Sequence, residues 1–182
     1  MVEEKIIEKV NSLEEDGFLE CTFEGCDFSN ADFSKKRFLN CKFFRCNWTA
    51  TKVENTRLQE VSFVESKVMG VDFTLCDPAF LRLFFEKCLL RGCNFTEMKL
   101  QGSKFITSDV KECHFVQSDL KKASFRGSNL EGTAFHHTNL VEVDFVEAIY
   151  YAIDPLNNPL KSAKFSKLEA LAPLQGLEIT LE

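Results

Sequence analysis

The sequence predicts an all-β solenoid built of stacked, four-walled coils, and three observations carry that prediction. From Leu83 to Val146 the chain reads in fives, LFFEK, CLLRG, CNFTE and so on to VDFVE, with a large apolar residue always in the middle place. The place two before it is mostly small, with Leu83 and Met98 as exceptions. A period of five fits neither a helix nor a simple strand, so it marks a repeat. Within it, Phe85, Phe95, Phe105, Phe115, Phe125, Phe135 and Phe145 are ten apart, with Leu90, Leu100, Val110, Leu120, Leu130 and Leu140 between them. If four fives make one coil of twenty residues, Phe85, Phe105, Phe125 and Phe145 stack on one wall. Phe95, Phe115 and Phe135 then stack on the opposite wall, and Leu and Val line the other two. Each coil buries its corners only by stacking on the next, which makes one continuous core.

The recurring order of a small residue, Asp or Asn, then Leu or Phe resembles the pentapeptide-repeat proteins over about three quarters of the chain. The resemblance implies a right-handed quadrilateral β-helix. It also implies that a C-terminal segment can join two solenoids end to end, as in some members of the family.

Taken in order, residues 1–16 predict an N-terminal capping helix. Val2, Ile6, Val10 and Leu13, with Ile7 beside them, recur at helical spacing, and an open solenoid end needs a cover. The first repeat block spans 17–77, with twelve centres from Phe18 to Phe73. Lys36 falls in a small inward place, and a buried lysine needs a partner, so a corner bulge turning Lys36 outward is expected. Centres step by five up to Phe73 and again from Phe85. Two residues are therefore inserted near Cys76–Ala79, and Pro78 lacks a ladder donor. This places a register break at 78–82. The second block spans 83–147. Beyond it, 148–182 form a C-terminal cap and possible homodimerisation segment. Tyr150, Tyr151, Pro155, Asn157, Asn158 and Pro159 read as a loop leaving the last coil. A capping box at Ser166 and Glu169 starts a short helix from Lys167 to about Leu174, and Leu177, Ile179 and Leu181 read as a strand. The repeat centres amount to about six coils.

The chain has 182 residues, room for one domain with a sizeable core. Its 19 Phe against one Trp and two Tyr serve filling rather than polar anchoring. The net charge of −6 is uneven: residues 1–16 hold six acids and two bases, whereas 78–147 hold nine of each. A basic run, Lys35, Lys36, Arg37, Lys42, Arg45, Lys52 and Arg57, lies in the first block. The acidic N-terminus lacks the basic region of a signal peptide, and no apolar window is long enough for a membrane span. A cytoplasmic protein is expected.

All eight cysteines (Cys21, Cys26, Cys41, Cys46, Cys76, Cys88, Cys93, Cys113) occupy the inward small-residue place, where a thiol behaves as a small hydrophobe. They read as reduced core thiols. No C-x2-C spacing for zinc occurs, and His114, His136 and His137 take outward places. With no nucleophile motif or phosphate loop and a Phe-filled interior without a pocket, no catalytic residue, cofactor or metal is assigned, and the protein reads as non-enzymatic. Outward apolar residues Phe44, Val64 and Phe84, with Leu39 and Met69 near them in sequence, instead predict a rigid protein-binding scaffold. Phe44, Val64 and Phe84 are its candidate partner-binding residues. The alternative comes from the resemblance: quinolone-resistance members mimic a DNA duplex and engage DNA gyrase or topoisomerase IV. Such a mimic needs acidic walls, which would require Asp109, Glu112, Asp119, Glu131, Asp144 and Glu147 to gather on one wall. Direct nucleic-acid binding through the basic run is weaker, because only Phe43, Phe44 and Trp48 interleave with it.

Overall fold

The computed structural model describes residues 1–167. The chain winds through about eight turns of a β-solenoid with almost no helix. Every strand ladder along its walls is parallel. The first wall stacks Val2–Glu3, Gly17–Leu19, Arg37–Leu39 and Arg57–Gln59. The second stacks Ile6–Glu8, Thr22–Glu24, Lys42–Phe44, Val61–Val64, Leu83–Glu86 and Lys104–Ile106, and Asp144–Phe145 pairs Lys164–Phe165 further along it. The third stacks Lys67–Met69, Leu89–Arg91 and Asp109–Lys111. The fourth is held by single bridges, among them Asp72 to Asn94, Asn94 to His114 and His114 to Ala134.

The repeat chemistry explains each coil. The large central residue points inward, and the two residues flanking it point out. The next residue turns the corner in the left-handed region, with Asn30 at φ 58°, Asn40 at 53° and Gly92 at 61°. Asn and Gly bear that conformation at least cost. An Asp or Asn before the centre accepts a hydrogen bond from the N–H two residues on, as Asp27 does from Ser29 (3.1 Å), Asp32 from Ser34 (2.9 Å) and Asn129 from Glu131 (3.1 Å). This is the turn-forming habit of Asx side chains. In the small inward place, hydroxyls donate to a carbonyl of the preceding coil, as Ser128 does to Phe105 O (2.8 Å) and Thr133 to Val110 O (2.6 Å).

The second wall carries one aromatic column: Phe23, Phe43, Phe63, Phe85, Phe105, Phe125, Phe145 and Phe165. Successive ring centroids lie 4.6 to 5.5 Å apart, within 17° of parallel. Phe73, Phe95, Phe115 and Phe135 form the facing column on the fourth wall. Rings of the two columns meet edge to face, as Phe105 and Phe115 do at 84°. Rings thus stack along the axis and cross it as T-shaped pairs, the two favoured geometries. Leu100, Leu120 and Leu140, and Leu90, Val110 and Leu130, fill the other walls without exposure.

The ends differ from the sequence reading. The N-terminal segment is not a helix. It forms two strands, β1 (Val2–Glu3) and β2 (Ile6–Glu8), which pair Phe18–Leu19 and Thr22–Glu24 at an offset of 16 residues. The first coil is thus a contracted turn that covers the stack with Val2, Ile7, Val10 and Leu13. Lys36 is also buried, at 8% exposure, rather than turned out. Because the coil beneath it is four residues short, its ammonium reaches Glu15 O (2.8 Å) and Asp16 Oδ1 (3.3 Å). At the other end residues 148–165 do not leave the stack. Asn158 takes the inward place and donates to Phe135 O (3.0 Å), Pro159 O accepts from Leu140 N, and Lys164 N donates to Val143 O. Tyr151 is buried and Tyr150 exposed. The expected helix after Lys167 and the strand at Leu177–Leu181 lie outside the described residues. The pairing offset is 20 residues through the body but 22 where Val61 meets Leu83 and Phe73 meets Phe95, the extra pair following Asp77. There Phe80 stands 77% exposed in a left-handed conformation.

A candidate protein-binding face

The outward residues of the second wall fall into two columns, one before and one after the Phe column. The preceding column runs Thr22, Lys42, Ser62, Phe84, Lys104, and the following one Glu24, Phe44, Val64, Glu86, Ile106. Phe44 and Val64 are therefore vertical neighbours, and Phe84 stands on the same wall, diagonal to Val64. All three are half-buried. Ile106, one coil above Glu86, extends the strip; in the sequence it breaks the polar pattern as Phe84 does, but it is not among the candidate partner-binding residues.

Bases border these rings. Lys42 Nζ lies 5.4 Å and Arg45 Cζ 4.4 Å from the Phe44 centroid, and Lys104 Nζ lies 5.9 Å from that of Phe84. Arg45 also pairs with Glu65 (3.0 Å). Such contacts hold cations against aromatic faces and leave the charge of Lys42 and Lys104 available on the rim of the strip. For Phe44 the sequence signal is a base one or two places away, whereas Lys104 lies twenty residues from Phe84 and meets it only through the coil register. Leu39 and Met69 do not join the strip, because they lie on the first and third walls.

Charge elsewhere is dispersed. The basic run encircles the coil: Arg37 and Arg57 stand on the first wall, Lys42 on the second and Lys52 on the fourth. Lys36, Arg45 and Arg57 are paired with Asp16, Glu65 and Asp77. The six acids do not gather on one wall either: Asp109 lies on the third, Asp119 on the first and Asp144 on the second. Cross-coil partners answer several of them, as in Arg91–Glu112 (2.6 Å), Lys111–Glu131 (3.1 Å) and Arg126–Asp144 (3.2 Å).

The eight cysteines are free and buried in their inward places. Burial pushes the thiols of Cys41 and Cys88 up to about 11 and those of Cys46 and Cys76 to about 12, so they stay protonated. Among the described residues no three His, Cys, Asp or Glu side chains converge as metal ligands, and His114, His136 and His137 are exposed. No helix among them is long and apolar enough to cross a membrane.

Comparison with known proteins agrees with this geometry. A family model described as "Pentapeptide repeat region" matches residues 17–83, and one described as "Pentapeptide repeats (8 copies)" matches 108–146. No curated protein matches the chain in sequence. Among solved structures, trypsin-treated QnrB1, a plasmid-mediated fluoroquinolone resistance protein, is 18% identical with a TM-score of 0.50, over 100% of this chain and 98% of that one. HetL, involved in heterocyst differentiation regulation in the cyanobacterium Nostoc, is 15% identical with a TM-score of 0.43, over 89% and 84%. Rfr23 from the cyanobacterium Cyanothece is 15% identical with a TM-score of 0.31, over 85% and 90%. At these identities the likeness concerns the fold.

Proposed function

Because this chain belongs to the pentapeptide-repeat proteins, we propose that it acts as a rigid, non-enzymatic scaffold that binds another protein through its second wall. The observation that carries this reading is the strip of Phe44, Val64 and Phe84, which one register brings onto a single wall. A solenoid wall is preorganised, so binding it costs little conformational entropy. The strip has an apolar centre and a cationic rim, the common anatomy of an interface. Duplex mimicry toward gyrase or topoisomerase IV would need rows of unanswered acids, and in the body the acids are spread over the walls and largely interleaved with bases. A homodimer through the C-terminal segment would be compatible with the scaffold, since it would use an end and not the wall.

Two measurements test this. Affinity capture with the wild-type protein and with the Phe44→Ala, Phe84→Ala double variant should retain a partner that only the wild type holds, at low and high salt alike. A gyrase supercoiling assay, with and without a quinolone, should show at most a weak effect at micromolar protein. Strong, salt-sensitive inhibition or protection from the drug would reverse the reading.

A further inference from the structure

The N-terminal end of the solenoid is a second surface, independent of the wall strip. β1 and β2 are the terminal strands of their sheets. Lys5 O accepts from Thr22 N (2.8 Å) and Lys9 N donates to Glu24 O (3.0 Å). The alternation of a parallel ladder therefore leaves the backbone N–H and C=O of Ile6 and Glu8 facing off the end. The same holds for Glu3, because Glu4 N is the group that bonds Leu19 O (3.0 Å). Beside these open groups lies a groove of about 640 Å³, floored by the half-buried Val2, Ile7, Val10 and Leu13. Ile6 projects from its rim at 70% exposure.

Charge selects the occupant. Along the body, cross-coil ion pairs set acid against base: Arg45–Glu65, Arg57–Asp77, Arg91–Glu112 and Lys111–Glu131. At this end the acids stand without their answering coil. Among the described residues Glu3, Glu4, Glu8, Glu14 and Glu15 make no ion pair and Asp16 is met by Lys36; Lys5 and Lys9, which also line the groove, are unpaired too, but two bases against six acids leave residues 1–16 negative. A second copy meeting end to end would oppose acid to acid. The chain's own residues 168–182 hold three glutamates and no base, so they are repelled as well.

We propose that this edge binds an extended segment of another protein in which bases alternate with aliphatic residues, added as a further parallel strand beneath β2. Its backbone meets the free groups of Ile6 and Glu8, its central aliphatic side chain continues the stack below Ile7, and its bases lie beneath Ile6 and Glu8, with Glu3 adding negative charge from the adjoining wall. This is strand addition with affinity from main-chain bonds and selectivity from alternate side chains.

The test uses a capped seven-residue peptide alternating Lys and Val, read by fluorescence anisotropy with the full chain. Binding should weaken at least about tenfold for the Glu3→Lys, Glu8→Lys double variant, whose unchanged thermal midpoint shows that it is folded. It should weaken similarly for a peptide alternating Glu and Val, and for the Lys–Val peptide N-methylated at alternate residues, which keeps its charge but cannot extend a ladder. Glu86→Lys, on the wall, should leave binding intact. Equal binding of the methylated peptide reduces the effect to charge alone and overturns the proposal, as does equal binding by the charge-reversed variant. Concentration-dependent self-association that the basic peptide fails to reverse assigns the edge to a second copy and overturns it too.

Discussion

Ser103 Oγ and Trp48 Nε1 are buried side-chain atoms without a hydrogen-bond partner among the described residues. Ser103 occupies the inward place that Leu83 and Ala123 fill in the coils before and after it, so its hydroxyl sits in an apolar column. Ser103→Ala should stabilise the protein by about 1 kcal/mol, because an unsatisfied buried hydroxyl costs its full desolvation; a lowered thermal midpoint would contradict this. Phe125→Ala, between Phe105 and Phe145, should cost about 3–5 kcal/mol, whereas the exposed His136→Ala should cost under about 0.5 kcal/mol, as chemical denaturation will show. Thiol labelling should be slow in the native state and reach the eight cysteines only on unfolding. The inward residues of the body were legible in the sequence because each place repeats many times. Lys36 was not. Its burial depends on a carbonyl, that of Glu15, left bare by a shorter coil beneath it, and no local pattern reports the length of another coil.

The contracted first coil shows the same limit at the scale of an element. Its inward residues Val2, Ile7, Val10, Leu13 and then Phe18 step by five, three, three and five. Those steps imitate a helical stripe, and only the exposure of Ile6 separates the two readings. The strip on the second wall was partly legible: Phe44, Val64 and Phe84 each violate the polar pattern, but the register that collects them and excludes Leu39 and Met69 is a property of the closed coil. At the 22-residue coil, Asp77 accepts from Ala79 N (2.9 Å) and from Arg57 (2.9 Å). The backbone bond from Ala79, then that of Arg57, holds its carboxyl below the usual carboxylate range. A lowered folded-state pKa stabilises the fold above the unfolded value of roughly 4 and loses that contribution as pH falls through the folded value. Stability measured between about pH 5 and 2 should therefore decline more steeply for the wild type than for Asp77→Asn. Equal slopes would show that the carboxylate is not what pins the turn.

For the whole molecule, each coil touches only its neighbours, so stability is a sum of coil and interface contributions rather than the property of one centre. Two kinds of surface follow from that architecture: walls, which repeat, and ends, which do not. The binding proposed for the wall strip and that proposed for the open N-terminal edge should therefore be separable by mutation, Phe44→Ala disturbing one and Glu8→Lys the other.

The pairing offsets of 16, 20 and 22 residues also make the molecule a graduated ruler under tension. Pulled from its two ends in an optical trap, the stack carries the load in series across its coil interfaces, and it should peel one coil at a time instead of rupturing as a block. At about 3.4 Å per extended residue, less the roughly 5 Å each coil already spans along the axis, ordinary steps should lengthen the tether by about 63 Å, the first coil by about 50 Å and the 22-residue coil by about 70 Å. The odd-sized steps would tell an observer which end had given way first.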